Sequence, residues 1–307
     1  METPTSPQEI YHVPALLPEA IQLLDIKPNG IYIDATFGGG GHSRAIISKL
    51  GEKGRLFSFD RDIEAYRNRI DDERFVFVHG NFRHIENFMR FYGVEKVDGI
   101  LADFGVSFHH FDTPERGFSF RNDSPLDMRM NRKSGITAAM LISKASEKEL
   151  FSIFKAYADL KKTGAVVKAI VTAREDHPIE TTFQLAEAVK KAIDPRQEKK
   201  ELAQVFQALR IAVNHEADDL QIFLNSSLKV LKPKGRLVTL TYHSMEDRMV
   251  KNFLKTGNVE GIEEKDFFGN VNSKWKIITK KPIEANAEEV ENNPRSRSAR
   301  LRAAELI

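Results

Sequence analysis

Short apolar runs, each followed by polar or glycine-rich sequence, alternate with helix-like segments over the first third of the chain. Residues 31–35 (IYIDA) predict a strand that leads into TFGGGGHS and then into RAIISKL, whose apolar residues fit one face of a helix. Three further runs predict strands in the same way: RLFSFD at 55–60, FVFVHGNF at 75–82 and VDGILADFG at 97–105. The segment DIEAYRNRI after the second run predicts another helix. Strands separated by helices favour a parallel, doubly wound sheet.

The pattern changes in the middle of the chain and returns near its end. Residues 136–202 predict mainly helices, with Ser146 as the N-cap of one of them. Apolar runs with strand character return at 235–242 (GRLVTLTY) and at 275–282 (WKIITKKP). We therefore predict an α/β protein in which 1–108 and 203–307 form a Rossmann-like sheet domain and 109–202 form a mainly helical insertion.

The composition of the chain excludes several kinds of chemistry but says little about a binding partner. The chain of 307 residues has 46 Lys and Arg against 44 Asp and Glu, so its net charge of +2 makes no broad electrostatic case for nucleic acid. It has no cysteine, which excludes disulfides, thiolate metal sites and Cys nucleophiles and agrees with a reducing cytoplasm. We find no secretory signal and no apolar stretch long enough to span a membrane. These features predict a soluble cytoplasmic protein.

The glycine-rich segment at 34–43 is the strongest candidate for ligand binding. A glycine turn between a strand and a helix lets a ligand approach the backbone and offers it amide donors. The alternative is a purely structural role, in which the glycines form a tight turn that only packs the helix on the strand. The dinucleotide fingerprint GxGxxG can be traced in part, whereas no GxxxxGK[ST] sequence lies nearby, so Walker-type ATP binding is not predicted.

Two acids flank this segment. Asp34 ends the first predicted strand and is followed by alternating glycines, with Thr36 in place of one of them, which is typical of S-adenosylmethionine-dependent methyltransferases. Asp60 ends the second strand, where a carboxylate can accept hydrogen bonds from both ribose hydroxyls of an adenosine cofactor. The same pair of features would serve NAD. A nicotinamide-dependent oxidoreductase therefore stays open as an alternative at this point.

The ends of the third and fourth strands add two more candidates. Asn81 and Phe82 follow the third strand, where an adenine ring could stack and form hydrogen bonds. Asp103 ends the fourth strand, beside the expected position of the methionine part of the cofactor or of the accepting atom. Polar or aromatic groups thus follow four consecutive strands, and ligands of such sheets bind at that edge.

The chain resembles the bacterial ribosomal RNA small subunit methyltransferase H family, and the resemblance runs nearly from end to end. The motifs that carry it are HVPALLPEA at 12–20, DATFGGGGHSRAI at 34–46, FDRD at 59–62, HGNF at 79–82, VDGILADFGVS at 97–107, ERGFSFRNDSPLDMRM at 115–130, FQALRIAVN at 206–214, TYHSMEDRMVK at 241–251 and NPRSRSARLR at 293–302. The resemblance implies a class I methyltransferase fold that methylates the exocyclic N4 of a cytidine in 16S ribosomal RNA at the decoding centre. It also implies S-adenosylmethionine as cofactor, the small ribosomal subunit as partner and an RNA-recognising insertion.

The resemblance also assigns residues to the cofactor. It implies contacts at Gly40, Gly41, His42, Asp60, Phe82 and Asp103, each of which lies in a matching motif. His110 stands where the family often has Gln after GVSS, and a neutral imidazole cannot present a carbonyl and an amide together. The segments at 160–170 and 199–202 also depart from the family pattern, and these departures bear on RNA contacts of the insertion.

A second group of residues is predicted to shape the nucleobase pocket. It consists of His12, Pro14, His243, Ser244, Glu246 and Asp247. For the last four, the structural alternative is a helix-capping turn with Ser244 as N-cap and two acids in the first turn. Phe118 and Phe120 are candidates to stack on the target base, although core packing is the better interpretation for at least one of them.

Asp103 is the candidate catalytic residue. Methylation at C5 of a pyrimidine proceeds through a cysteine adduct, which this chain cannot form, whereas N4 methylation needs neither a cysteine nor a metal. Asp103 could bind the methionine amine of the cofactor, the role that the family favours, or accept a hydrogen from the target amine.

Arg295, Arg297, Arg300 and Arg302 form a basic cluster that could contact phosphates or simply face solvent. A non-catalytic RNA-binding assembly factor is a further alternative function, disfavoured by the intact glycine segment and the strand-end acids.

Overall fold

The computed structural model describes residues 14–104, 114–132, 135–264 and 273–307. The strands are β1 (Ile31–Asp34), β2 (Arg55–Asp60), β3 (Phe75–His79), β4 (Val97–Asp103), β5 (Leu231–Thr241), β6 (Trp275–Ile277), β7 (Ile283–Glu284) and β8 (Arg300–Leu306). The helices are α1 (Leu17–Leu24), α2 (Gly41–Ile47), α3 (Ile85–Phe91), α4 (Ala138–Lys144), α5 (Glu147–Tyr157), α6 (Thr163–Asp176), α7 (Thr182–Lys190), α8 (Glu198–Asn214), α9 (Glu216–Val230), α10 (Ser244–Thr256) and α11 (Ala287–Asn292).

The strands form one sheet in the order β3-β2-β1-β4-β5-β8-β6, with β7 also paired to β8. β3, β2, β1, β4 and β5 run parallel, whereas β8 is antiparallel to β5 and to β6. The chain leaves β1 toward β2 and β3 and then crosses to β4 on the other side. The order of the strands therefore reverses between β1 and β4, which is the position at which sheets of this type bind ligands.

The parallel strands read as nearly continuous apolar runs because both faces of the sheet are covered. Ile33 and Phe57 belong to the apolar cluster on one face, and their neighbours Tyr32 and Leu56 belong to the cluster on the other. All four side chains are at most 1 % exposed. This burial on both faces is typical of parallel sheets flanked by helices, and the predicted α/β, Rossmann-like class is confirmed.

The chain divides into two compact units. One contains the described residues up to Phe104 together with Leu220–Ile307, and the other lies within Val106–Asp219. The second unit extends beyond the predicted insertion, 109–202, whose end falls inside α8. The second unit itself ends at Asp219, in the first turn of α9.

The second unit is built from helices around its own apolar core. The predicted N-cap Ser146 is confirmed: its Oγ accepts the backbone N–H of Glu149, and the Glu149 carboxylate accepts the backbone N–H of Ser146 at 2.7 Å. Asn214, at the end of α8, donates to the Met128 carbonyl at 2.8 Å and accepts the Met130 N–H at 2.7 Å. These bonds fix an irregular segment against a helix.

Two local predictions differ from the structure. Residues Ile63–Asn68 form a 3-10 helix rather than an α-helix. The segment at its start is held by Asp62, whose side chain accepts the Glu64 N–H and turns the backbone tightly. The arginine-rich end of the chain forms the strand β8, for which the sequence pattern gave no strand prediction. Of the described residues, no helix is long and apolar enough to cross a membrane.

Candidate active site

The glycine segment adopts a conformation that explains its composition. Gly38 and Gly40 have φ angles of 51° and 77°, a region that side chains disfavour. A Cβ added to Gly41 would lie 2.3 Å from Cγ of Pro14, so this glycine allows the Pro14 ring to pack on the start of α2. A Cβ at Gly39 would meet nothing within 4 Å. Space is therefore open beside the middle of the segment and closed at its end.

Hydrogen bonds from neighbouring side chains fix the conformation of the glycine segment. The buried Asp34 carboxylate accepts the Ser43 hydroxyl at 2.6 Å and the Thr36 N–H at 3.1 Å, and its burial raises its pKa. On the carbonyl side, Arg44 donates to the Gly39 oxygen at 2.8 Å. Asp34 is thus a structural acid, and the segment is fixed before any ligand arrives.

Asp60 lies at the end of β2 with both carboxylate oxygens oriented by backbone donors. Its Oδ2 atom accepts the Gly38 N–H at 2.9 Å, and its Oδ1 atom accepts the Asp62 N–H at 2.8 Å. The side chain is half-buried, and this burial raises its pKa. Since each carboxylate oxygen has two lone pairs, Asp60 retains capacity for further donors such as hydroxyl groups.

Asp103 lies at the end of β4, next to the start of α2. Its backbone N–H donates to the Thr36 hydroxyl at 2.6 Å, which ties β4 to the glycine segment. Its carboxylate is 20 % exposed, and Oδ2 lies 3.9 Å from Nδ1 of His42. The His42 ring is 4 % exposed, and its Nε2 atom has no hydrogen-bond partner among the described residues. A buried nitrogen of this kind is expected to meet a ligand or water.

Tyr242 contacts the Asp103 carboxylate from the end of the neighbouring strand, β5. It follows β5, which pairs with β4 so that Leu240 lies opposite Asp103. Burial, the negative charge of Asp103 and a hydrogen bond to Asp103 together raise the pKa of the Tyr242 phenol. The phenol therefore stays protonated and donates to the carboxylate.

Phe82 lies half-buried after β3, at the same edge of the sheet. Its ring makes edge contacts with Phe104 and Phe223, at centroid distances of 5.7 Å and 5.4 Å. The side-chain oxygen Oδ1 of Asn81 accepts the backbone N–H of Arg83 at 3.0 Å, so part of the predicted hydrogen-bonding capacity of this side chain serves the local turn. Phe82 combines a fixed ring with an exposed portion, as a stacking residue requires.

The acids of the late cluster have structural partners. Glu246 accepts the backbone N–H groups of Tyr242 and His243, at 3.0 Å and 3.3 Å, and His243 rather than Ser244 is the N-cap of α10. Asp247 forms a two-bond ion pair with Arg302, at 2.7 Å and 3.1 Å. Both acids hold α10 in place, and Ser244 at its start is exposed.

The remaining candidates divide into three groups. His12 and His110 lie outside the described residues. Phe118 is 5 % exposed and packs in the core of the second unit, as the core interpretation predicts. Phe120 packs against Phe206 at a centroid distance of 5.4 Å in the same unit. Of the basic cluster, Arg302 is 7 % exposed and ion-paired, so an all-exposed phosphate-binding cluster is wrong for that residue.

The donor set fits an adenosine cofactor and provides no metal site. Asp60 is an oriented acceptor beside Gly38 and Gly39, where an added Cβ would meet nothing within 4 Å, and the buried Nε2 of His42 lacks a partner nearby. Across the described ranges there is no group of three His, Asp or Glu residues placed to hold a metal ion.

A doubly wound sheet with this glycine segment after β1, Asp60 at the end of β2 and Asp103 at the end of β4 is the architecture of an S-adenosylmethionine-dependent methyltransferase. The model of the MraW methylase family matches residues 9–307, and the chain belongs to that family. It is 54 % identical to ribosomal RNA small subunit methyltransferase H of Phocaeicola vulgatus, over 97 % of this chain and 98 % of the relative. This chain is also similar to two other proteins named ribosomal RNA small subunit methyltransferase H. It is 53 % identical to the one from Bacteroides thetaiotaomicron, over 96 % of this chain and 97 % of the relative. It is 52 % identical to the one from Porphyromonas gingivalis, over 98 % of this chain and 98 % of the relative. Membership of this family excludes the alternative of a nicotinamide-dependent oxidoreductase.

Sequence reasoning missed two residues of the site. Tyr242 lies within the quoted motif TYHSMEDRMVK, but only the pairing of β4 with β5 places it beside Asp103. Thr36 was noted as a departure from the glycine pattern. Its hydroxyl accepts the Asp103 N–H, which gives that departure a structural reason.

Proposed function

We propose that this enzyme transfers a methyl group from S-adenosylmethionine to the exocyclic N4 of a cytidine in 16S ribosomal RNA, at the decoding centre of the small subunit. The proposal is supported by relatives at more than 50 % identity that are named ribosomal RNA small subunit methyltransferases. It also agrees with the absence of cysteine, since C5 methylation of a pyrimidine needs a cysteine adduct. An enzyme that acts on ribosomal RNA would work in the cytoplasm.

Three parts of the site would hold the cofactor. Asp60 would accept the ribose hydroxyls, because its two oxygens are oriented by the Gly38 and Asp62 amides. Phe82 would stack on the adenine ring. Gly40, Gly41 and His42 would contact the cofactor from the start of α2, and no group of three metal-binding side chains lies among the described residues. S-adenosylmethionine supplies an electrophilic methyl group on its sulfonium, so the main task of the protein is alignment and the exclusion of water.

Asp103 is the residue that we place closest to the chemistry. The cytosine amine is a weak nucleophile because its lone pair is delocalised into the ring, and an acceptor for its hydrogens would favour attack. Asp103 could serve in that way or bind the methionine ammonium of the cofactor, and we favour the ammonium because the resemblance implies a cofactor contact. The single observation on which this assignment rests is that His42 and Tyr242 both lie beside Asp103. Asp103 ends β4, His42 lies at the start of α2, and Tyr242 follows β5.

The remaining site residues complete the proposal. We assign RNA recognition to the helical insertion, His110 to the cofactor, and His12, Pro14, His243 and Ser244 to the nucleobase pocket. Glu246 and Asp247 would act on that pocket indirectly, since they hold the first turn of α10. Pro14 has the best support of this group, because its ring packs on Gly41.

The decisive experiment is methyl transfer from labelled cofactor to small subunits that lack the modification, followed by nucleoside analysis. We expect the label in N4-methylcytidine. Label in another nucleoside would contradict the acceptor, and cofactor binding without transfer to any RNA would favour the non-catalytic assembly factor.

A further inference from the structure

One helix that starts beside the site has a face made of cations. Ser244, Arg248, Lys251 and Lys255 lie at positions i, i+4, i+7 and i+11 of α10, so they share one side of the helix over about 16 Å. All four are exposed. The two acids of α10, Glu246 and Asp247, are both buried. The exposed positions of this helix therefore carry no acid.

The cations in the middle of this face are not engaged by the protein. Lys255 forms an ion pair with Glu263 at 2.8 Å. Arg248 and Lys251 have no ion-pair or hydrogen-bond partner in the part of the chain that the structure describes. Asp247, which lies one turn before Lys251, is already occupied by Arg302.

This arrangement does not stabilise the helix. Arg248 and Lys251 are like charges at i, i+3, and Lys251 and Lys255 are like charges at i, i+4, and pairs of this kind repel. The helix dipole favours cations in the last turn, where Lys255 lies, but not in the second turn, where Arg248 lies. Binding of an anion would account for the two unpaired cations.

Two of the C-terminal arginines, Arg300 and Arg302, are less suited to that task. Arg302 is buried against Asp247, and Arg300 lies between Asp247 and Glu284, at 3.3 Å and 3.6 Å. The charges of these arginines are therefore balanced within the protein, whereas those of Arg248 and Lys251 are not.

We propose that the exposed face of α10 binds the phosphate backbone of the RNA substrate through Arg248 and Lys251. Because α10 begins three residues after β5 ends, this face leads away from the edge of the sheet that carries Asp103. Phosphate contacts fix the register of a nucleic acid without reading its sequence. The face would thus hold the strand near its target base. This inference rests on the proposed function, in that it takes RNA as the substrate.

The test compares R248A/K251A with K49A/K53A. Lys49 and Lys53 are exposed, belong to the same compact unit and lie between α2 and β2, at the opposite edge of the sheet. Both double variants remove two positive charges, so they separate a local contact from a change in net charge. Affinity for small subunits lacking the modification is measured over a series of KCl concentrations, together with cofactor affinity and the melting temperature.

We expect R248A/K251A to bind small subunits on the order of tenfold more weakly, and the slope of log K against log salt to flatten by about 1.4 to 1.8, which corresponds to two lost phosphate contacts. K49A/K53A should keep the wild-type slope, and R248K/K251R should restore it. Cofactor affinity and melting temperature should stay unchanged in all variants. An unchanged slope in R248A/K251A, or equal flattening in the control, would overturn the proposal.

The same assay with a single-stranded RNA oligonucleotide of mixed sequence keeps this test independent of the acceptor. If wild-type enzyme fails to form N4-methylcytidine, the proposed function is wrong. The slopes of the two variants on the oligonucleotide still decide whether the α10 face contacts phosphates. If methyl transfer succeeds but the slopes are equal, only the α10 face is wrong.

Discussion

The backbone N–H of Gly38 donates to Oδ2 of Asp60 at 2.9 Å. This bond joins the glycine segment after the first strand to the acid that ends the second strand. The two features that the sequence suggests separately are thus one physical unit, because the acid orients the loop and the loop orients the acid. A change in either should alter cofactor binding.

The affinity for S-adenosylmethionine should fall as Asp60 is protonated. Burial raises the pKa of Asp60 above the ordinary 3.8 of an aspartate, so protonation starts at a higher pH than for an exposed aspartate. A neutral carboxyl group has less acceptor capacity for ribose hydroxyls. We expect the cofactor Kd of the wild type to rise as the pH falls into this window. The Kd of D60N, measured by calorimetry, should be higher and nearly independent of pH there.

Asp60 should also make the free energy of unfolding depend on pH, in the direction opposite to the cofactor affinity. Because the folded state retains the proton of Asp60 to a higher pH than the unfolded chain, the free energy of unfolding falls as the pH rises between 3.8 and the raised pKa. Urea unfolding of wild type and D60N across this range measures that contribution. A contribution from Asp60 that rises with pH would contradict the direction of the pKa shift.

Replacing Gly41 by Ala should destabilise the protein, whereas the same change at Gly39 should not. The new methyl group at Gly41 would meet the Pro14 ring at 2.3 Å, and overpacking of this kind costs about 1–3 kcal/mol. At Gly39 the methyl group has open space, so we expect a change within about 0.5 kcal/mol. Urea unfolding of both variants provides the comparison. Equal losses in the two variants would contradict the contact with Pro14 as the cause of the destabilisation.

Tyr242 and Asp103 should act on the cofactor as a pair. D103N should raise the cofactor Kd strongly if Asp103 binds the methionine ammonium, and Y242F should raise it by removing the donor that orients the carboxylate. In the D103N background, Y242F should add little, since coupled residues are not additive. Calorimetry on the two single variants and the double variant measures the coupling. Y92F, where Tyr92 packs on Phe57, is the matched control. Normal cofactor binding by D103N with lost methyl transfer would assign Asp103 to the target amine.

Removal of Arg302 should cost more stability than removal of an exposed arginine. The guanidinium is 7 % exposed and makes two hydrogen bonds to Asp247, so R302M would leave a buried carboxylate with only the longer contact to the exposed Arg300, at 3.3 Å. We expect a loss of about 3–5 kcal/mol in urea unfolding. R297M, at an exposed position of the same segment, should change little. The double variant D247L/R302M should recover part of the loss, and failure to recover any of it would count against the ion pair as the cause.

The parallel half of the sheet was predictable because its signals are local. Apolar runs and the residues after them define β1 to β4, and parallel pairing brings those residues to one edge without further information. β8 was not predictable in this way. Its sequence RLRAAEL has an arginine that is buried only because Asp247, 55 residues earlier, neutralises it. A sequence pattern contains no trace of such a distant partner.

The residues of the candidate site also divide into those that local sequence predicts and those that depend on the packed fold. Asp60, Phe82 and Asp103 end predicted strands, so their common location follows from the topology. Tyr242 depends on the pairing of β4 with β5, two strands that are separated by the entire helical unit. Residues of this kind enter a site through register, and register is set by the packed fold rather than by local sequence.

The antiparallel strand β8 lies between β5 and β6 and follows the other described strands in the sequence. During synthesis, β1 to β4 therefore emerge long before the strand that pairs with β5 on its other side. Until β8 has emerged, Asp247 has no Arg302, and α10 lacks its buried ion pair. We expect the helix next to the site to reach its final position after the parallel strands have paired.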